Sequence, residues 1–280
     1  MNARIRDYAR RIAELERAGN FAEIYRSLVH HEMPWEHRKA LEVGLYRTLA
    51  DPELASLTVR TGRMISAETR QRRYDGTIIF FDELAEFGPD SQRGHAAIRR
   101  LNQIHHAFPI SDAGFSYTLA CLAVTTVEFM DRYGWRKLLR AEIDGICRHY
   151  SRTARLMNVH GLPATFDEQA SLVARIETTM GFLPDARTVG LASLDMVINW
   201  YPRPARRLLR WAFPAFIPDG VKPVFAMDTP RGPEPFFAAL CKVRRLIVPL
   251  LPQRSHPTLM RRQPHITAFP ANYTIDQIGT

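Results

Sequence analysis

Three polar side chains occupy positions where the sequence pattern predicts apolar helix faces. Arg73 and Thr77 stand one turn apart on the stripe of RRYDGTIIFFDELAEFG that also carries Phe81, since residues three and four apart share a helix face. His105 stands on the apolar face of the next predicted helix. A neutral imidazole there can bind iron, including haem iron, and an arginine there needs an anionic partner. These three residues are therefore the candidate site.

The spacing in the second helix separates two neighbouring histidines. His105 shares the inward face with Ile104 and Phe108, whereas His106 follows a polar line. The rings of Phe81 and Phe108 would suit the flat, apolar surface of a haem. Periodicity therefore selects His105, not His106, as the candidate ligand.

Spacing alone favours ordinary structural roles for these residues. His105 can be a core histidine bonded to a carbonyl, and Thr77 can bond back to the carbonyl of Arg73. Asp75 or Asp82 can be the anionic partner of Arg73. From the pattern alone, these alternatives stay open.

Several motifs, in this order and spacing, resemble the MpaB group of the rubber-oxygenase, or latex-clearing-protein-like, superfamily. The resemblance extends from about residue 33 to the end of the chain, including LYRTLADPELASLTVRTG upstream and NYTIDQIGT at the close. The motifs between them are RRYDGTIIFFDELAEFG, SQRGHAAIRRLNQIHHAF, YTLA and RYGWR.

The resemblance implies a b-type haem in an all-helical, globin-related core. The histidine that closes RLNQIH, here His105, would ligate the iron, and the distal-side arginine and threonine of the family would be Arg73 and Thr77. Where relatives carry a lysine or an aspartate just before this threonine, the chain has Gly76. The missing side chain either opens space above the iron or lets backbone approach closely.

The helices that must position these residues are predicted throughout the chain. We expect an all-α fold in a single domain over 1–280, with N-terminal helices in 1–32, a helical core in 33–216, and a loop, a helix and a tail in 217–280. Glycine-rich phosphate loops, repeats and alternating strand patterns are absent from the sequence. The predicted helices are 3–18, 21–31, 35–49, 52–60, 70–87, 91–107, 112–132, 135–157, 166–181, 187–200, 203–213 and 234–248.

The proline-rich segment 217–235 is predicted to be irregular. A plain surface connection is the simpler interpretation, and a lid over an apolar pocket is the alternative.

Composition favours a reduced, intracellular environment. The three cysteines Cys121, Cys147 and Cys241 are odd in number and far apart, so we expect reduced core thiols. The charged N-terminal segment lacks the apolar core of a signal peptide. The apolar run 115–130 is shorter than the roughly 20 residues that span a bilayer and contains Glu128. We therefore expect a buried central helix, no transmembrane segment and a cytoplasmic location.

The formal net charge of +9 raises the question of a partner. Basic residues cluster in 202–211, 242–246 and 254–262, and the aromatic residues Trp200, Trp211, Phe213 and Phe216 lie in or beside the first of these segments. A solvated surface with local ion pairs is the simplest explanation, and peripheral contact with anionic lipid is the functional one. Nucleic acid is not expected, because no binding motif accompanies the charge.

The sequence and its resemblance together predict a haem b-dependent oxygenase. It would use dioxygen on a hydrophobic small molecule, such as an isoprenoid-like chain, by oxidative cleavage of a C=C bond or by oxygenation. The alternatives are a peroxide-dependent haem oxidase or hydroxylase on the same scaffold, a haem or lipid carrier without turnover, and a helical interaction module.

Overall fold

The computed structural model describes residues 3–62, 66–228 and 230–279; the remainder of the predicted domain, including Thr280 of the closing motif, lies outside the described residues. These ranges contain twelve α-helices and no strand, which confirms the predicted all-α class. The helices are α1 (Ala3–Arg17), α2 (Phe21–Ser27), α3 (Pro34–Thr48), α4 (Pro52–Arg60), α5 (Ala67–Phe87), α6 (Gln92–His106), α7 (Asp112–Tyr133), α8 (Arg140–Leu156), α9 (Phe166–Glu177), α10 (Pro184–Asn199), α11 (Arg203–Ala212) and α12 (Pro233–Ile247).

Most helix boundaries lie within three residues of the predicted ones, and three differ by four or five residues. The predicted helix 166–181 ends at Glu177. The second α-helix, predicted to reach residue 31, ends at Ser27, and a π-helical turn, Leu28–Glu32, follows it. A π-helix is wound more widely than an α-helix and often occurs at functional sites. The predicted helix 135–157 begins only at Arg140. Its first turn is fixed by Glu142, whose carboxylate accepts the backbone N–H of Leu139 at 2.7 Å.

Helix α7 is the central element of the fold. It packs against α3, α8 and α9, and fifteen of its 22 residues are buried. By length and composition alone it could cross a membrane, but 78% of its most apolar window is buried inside the protein. The prediction of a buried central helix is therefore confirmed. Cys121 on α7, Cys147 on α8 and Cys241 on α12 are buried free thiols, as predicted.

The segment after α11 is not the surface connection that its prolines suggest. Val221, Val224 and Phe225 are almost completely buried. The Phe225 ring lies 4.8 Å from the Tyr46 ring, centroid to centroid, and packs against Gly190, where any side chain would collide with it. The simple surface interpretation is wrong for this part of the loop, because its apolar residues complete the core between α3 and α10.

The chain ends in a segment that runs along α5, and we call residues 259–279 the C-terminal strap. Asp82 accepts the backbone N–H groups of Met260 at 3.0 Å and Arg261 at 3.3 Å. Asp75 accepts those of Thr267 and Ala268, both at 2.8 Å. The two carboxylates that the sequence offered as partners of Arg73 therefore fasten the strap to α5.

Candidate functional site

Helices α5 and α6 carry the predicted site and are joined by a tight turn. Gly88 ends α5 with a φ of +80°, a conformation that favours glycine. Ser91 caps α6, since its side chain accepts the backbone N–H of Gly94 at 2.9 Å. A Cβ at Gly94 would lie 2.1 Å from the Gly88 carbonyl oxygen, so this position has no room for a side chain. This turn lies between the predicted helices 70–87 and 91–107, as it does between α5 and α6.

The two helices border a cavity of about 440 Å³. This volume falls within the range typical of small-molecule sites, about 300–1,000 Å³. All five residues singled out by the sequence line it: Arg73, Thr77 and Phe81 from α5, His105 from α6, and Phe108 just after α6. The structure thus brings the predicted residues together around one space. The apolar wall also includes Leu101, Ile104, Phe115, Leu119, Met157 and Phe213.

His105 is half-buried and lines this cavity, whereas His106 is exposed. The Nδ1 atom of His105 is buried and has no hydrogen-bond partner among the described residues. Burial, together with the positive charge of Arg73, lowers the pKa of His105 to about 4. The ring is therefore neutral at pH 7. The bond to a carbonyl that would mark an ordinary core histidine is not found in the described part of the chain.

Thr77 adopts the local bond that its position allows. Its hydroxyl donates to the carbonyl oxygen of Arg73 at 2.9 Å, one turn earlier in α5. Because the single hydroxyl proton is used within the helix, Thr77 can offer the cavity only an acceptor. Arg73 brings the positive charge, and that charge acts on His105 across the cavity wall.

Gly76 lies under the C-terminal strap. A Cβ at Gly76 would lie 3.2 Å from Cγ2 of Ile278 and 3.7 Å from the ring of Phe269. Side chains of the strap, not backbone, are the atoms that approach Gly76, and Gly76 itself lines the cavity.

Two strap residues, Ile278 and Gly279, complete the cavity wall. The carbonyl of Ile278 accepts the Nε–H of Arg100 at 2.9 Å. Gly279 has a φ of +80°, and a Cβ there would lie 2.2 Å from Cδ1 of Ile104. Sequence reasoning missed these residues as part of the site, although they stand in the closing motif NYTIDQIGT.

Helices α3 and α5 add a polar end to the cavity that sequence reasoning also missed. Glu42 and Tyr46 line it from α3, and Tyr74 lines it from α5. Glu42 Oε1 and both tyrosine hydroxyls are buried without a hydrogen-bond partner among the described residues. Burial raises the pKa of both tyrosines, so their hydroxyls stay protonated. The available signal was a glutamate within the apolar run of α3.

Comparisons with known proteins find relatives for most of this chain. The family described as "ER-bound oxygenase mpaB/B'/Rubber oxygenase, catalytic domain" matches residues 40–246, which include every predicted site residue. A stretch of 127 residues is 31% identical to the ER-bound oxygenase mpaB of Penicillium brevicompactum, covering 44% of this chain and 32% of that protein. Its counterpart in Penicillium roqueforti (strain FM164) is 32% identical over 120 residues, covering 41% and 40%.

The matches thus span about a third of the length of these curated relatives. A solved structure, that of the latex clearing protein LCP in the closed state, is similar with a TM-score of 0.44 and 15% identity, covering 92% of this chain and 76% of that chain. The family match extends over well over half of the chain. The chain therefore belongs to the family of the mpaB/B' and rubber oxygenase catalytic domain.

Proposed function

We propose that this chain is a haem b-dependent oxygenase that uses dioxygen on an apolar organic substrate. One observation carries the proposal: a neutral imidazole, that of His105, stands without a hydrogen bond among the described residues at the wall of a mainly apolar cavity. Membership of an oxygenase family supports the reaction class. The substrate and the use of haem are our inference.

The residues present fit a haem. A buried imidazole nitrogen without a partner is costly, unless a group absent from the protein chain engages the ring. His105 would bind the haem iron, because its lowered pKa keeps the ring unprotonated at neutral pH. Phe81 and Phe108 would pack on the macrocycle, since both line the same space. When bound, haem would supply the activation of dioxygen.

The remaining site residues would position and shield the reactants. Arg73 would hold an anionic group, either a haem propionate or oxygen that gains negative charge, through its guanidinium donors. Thr77 would accept a hydrogen bond, because its own proton is bonded to the Arg73 carbonyl. Ile278 and Gly279 of the strap would help to exclude water.

The apolar walls favour a substrate with a long hydrocarbon portion. An isoprenoid-like chain would fit this chemistry, and either cleavage of its C=C bond or oxygenation beside it would consume dioxygen. Incorporation of both oxygen atoms into product needs no separate electron donor. We place the protein in the cytoplasm, at a membrane surface from which such a substrate can be drawn.

The first test is spectroscopic and compares two adjacent histidines. We expect the purified chain, supplied with haem, to show a Soret band that His105→Ala removes or shifts strongly. His106→Ala is the matched control, because that ring is exposed, and its spectrum should equal that of the parent. Absence of a Soret band in the parent, or loss of the band only in His106→Ala, would reject the assignment of the ligand.

The second test addresses the co-substrate. Haem-loaded protein is mixed with prenylated test compounds under air, under nitrogen, and under nitrogen with hydrogen peroxide. We expect product only under air, with ¹⁸O from labelled dioxygen in that product. Equal product under nitrogen with peroxide would favour the peroxide-dependent alternative, and reversible binding without product would favour a carrier.

A further inference from the structure

Helix α12 leaves an apolar stripe open to solvent. Phe236, Leu240, Val243 and Ile247 follow one another at steps of three and four residues, and each is 44–51% exposed. Leu250, in the turn that follows, is 81% exposed. A contiguous apolar surface of this kind marks an interaction site more often than scattered apolar residues do.

Two arginines of α12 fasten the helix to the rest of the protein. Arg244 forms an ion pair with Glu36, with 2.6 Å between Nη2 and Oε1, and lies over the Trp35 ring. Arg245 donates to the carbonyl oxygen of Gly134 at 3.0 Å. These contacts hold the helix with its stripe facing outward, so the exposure follows from how α12 is anchored.

The excess positive charge of the sequence falls in two of its segments. Two segments, 196–218 and 235–275, contain ten of the 38 lysines and arginines and not one aspartate or glutamate. The other 28 basic residues are balanced by 29 acidic ones. The excess positive charge of the sequence therefore lies in these two segments, which hold α11, most of α12 and most of the C-terminal strap; Glu234, in the first turn of α12, lies just outside them.

Several of these cations are available to a partner. Arg203, Arg207, Lys242 and Arg262 are exposed, and none forms an ion pair with a carboxylate among the described residues. Amphipathic helices with apolar residues beside lysine and arginine are typical of proteins that lie on anionic lipid. The negative surface of an anionic bilayer attracts lysine and arginine side chains that come within a Debye length.

Helix α11 connects this surface to the cavity. Leu208 and Trp211 on α11 are 48% and 38% exposed, and the Trp211 ring lies against Gly232 at the start of α12. Two residues after Trp211, Phe213 lines the cavity. An apolar molecule that leaves a bilayer at this surface would thus have a short path to the site.

We propose that the outer side of α11 and α12 docks on an anionic lipid bilayer. We call this surface the docking face. It is formed by Leu208, Trp211, Phe236, Leu240, Val243, Leu246, Ile247, Leu250 and Leu251. Its apolar side chains enter the interface between head groups and acyl chains, while the neighbouring arginines and Lys242 contact lipid phosphates. The proposal concerns binding alone and does not depend on haem or on turnover.

The test is cosedimentation of the full chain with vesicles. We expect weak binding to phosphatidylcholine and much stronger binding when phosphatidylserine is added, with the difference reduced by salt. Leu246→Glu with Leu250→Glu should reduce binding at least about tenfold, since each change removes an inserted side chain and adds a repelled charge. The control is Phe182→Glu, the same kind of change at a residue 57% exposed between α9 and α10. It should bind like the parent.

A second pair of variants tests the charges. Arg207→Gln with Lys242→Gln should weaken binding to phosphatidylserine vesicles about tenfold or more and leave binding to phosphatidylcholine unchanged.

The leucine variant also needs a check of its folding. Leu246 and Leu250 are 73% and 81% exposed, so circular dichroism should report parental folding for the leucine variant.

Three outcomes would overturn the proposal. The first is that the parent protein does not cosediment with vesicles that contain phosphatidylserine. The leucine variant and Phe182→Glu could bind equally well. Sedimentation velocity without lipid could show a dimer that the leucine variant makes monomeric, with no vesicle binding, which would make this surface a contact between two copies of the chain.

Discussion

At the scale of single residues, the chemistry of the site depends on how each polar group uses its hydrogen-bonding capacity. The imidazole of His105 uses none of it among the described residues, whereas the hydroxyl of Thr77 uses its only proton within α5. Arg73 differs from both because its charge acts at a distance, on the pKa of His105. A ligand arriving in the cavity therefore meets a free ring, a positive charge and an acceptor.

This difference predicts unequal effects of two substitutions. Thr77→Val keeps the shape of the side chain and removes one local bond, so we expect the free energy of unfolding to change by no more than about 1 kcal/mol and haem binding to persist. Arg73→Leu removes the positive charge that helps to lower the pKa of His105. We therefore expect a larger loss of turnover from Arg73→Leu than from Thr77→Val.

Both variants are compared by thermal unfolding, haem titration and product formation. A Thr77→Val variant that loses more turnover than Arg73→Leu would contradict the predicted order of the two effects. Full turnover in both variants would remove both residues from the chemistry.

At the scale of elements, the site is formed by α5 and α6, and the C-terminal strap is bonded to α5. Asp75 directly precedes Gly76 on α5, and Asp82 follows Gly76 by six residues. Both carboxylates accept backbone N–H groups of the strap. Burial raises the pKa of Asp75, although the backbone N–H groups of Ala268 and Thr267 oppose this. In contrast, hydrogen bonding from His30 and the nearby positive charge of Arg261 outweigh burial and lower the pKa of Asp82. The strap is therefore held by carboxylates in different electrostatic settings.

Removing one of these attachments should release the strap locally. Asp75→Ala leaves the N–H groups of Thr267 and Ala268 without their acceptor, which we expect to cost about 1–3 kcal/mol. Hydrogen exchange should accelerate in residues 259–279 and stay slow in α7. Asp276→Ala is the control, because this aspartate is exposed on the same strap. Equal exchange in both variants would show that Asp75 does not hold the strap.

The elements themselves could be predicted from sequence far better than their mutual contacts. All twelve helices follow from local periodicity and capping, as with Ser91 and Gly88, because those signals lie within a few residues. His105 was separable from His106 for the same reason. The placement of Ile278 beside Gly76 could not be predicted, because the two positions are far apart in the chain and no local pattern encodes their contact. The π-helical turn at His30 was missed likewise, since its wider winding has no strong sequence signal.

At the scale of the whole molecule, the core contains several histidines that burial keeps neutral. His149 stacks on Tyr25 with 4.0 Å between ring centroids, and His37 Nε2 lies 3.1 Å from the Tyr25 hydroxyl. Burial lowers the pKa of both His37 and His149 to about 3. In the unfolded chain, the same rings would titrate near 6.5. The folded state thus binds fewer protons than the unfolded state between these two values.

This difference predicts a protein that loses stability in acid. The contribution of the buried histidines is complete above about pH 6.5 and declines as the pH falls from there toward about 3, because the unfolded chain is protonated first. The melting temperature should therefore fall through this interval. His149→Gln should flatten the fall, whereas His106→Gln should not, because His106 is exposed. A slope of melting temperature against pH that is the same in parent and His149→Gln would contradict this account.

The attachment of the strap to α5 also has a consequence for biosynthesis. Thr267 and Ala268 follow their acceptor Asp75 by 192 and 193 positions. At about 5–20 residues per second, the ribosome needs roughly 10–40 s to make the intervening chain. During that interval, a nascent chain can form the α5–α6 helix pair while the wall that Ile278 and Gly279 provide is still missing. Growth of the polypeptide itself therefore sets how long the cavity lacks this part of its wall.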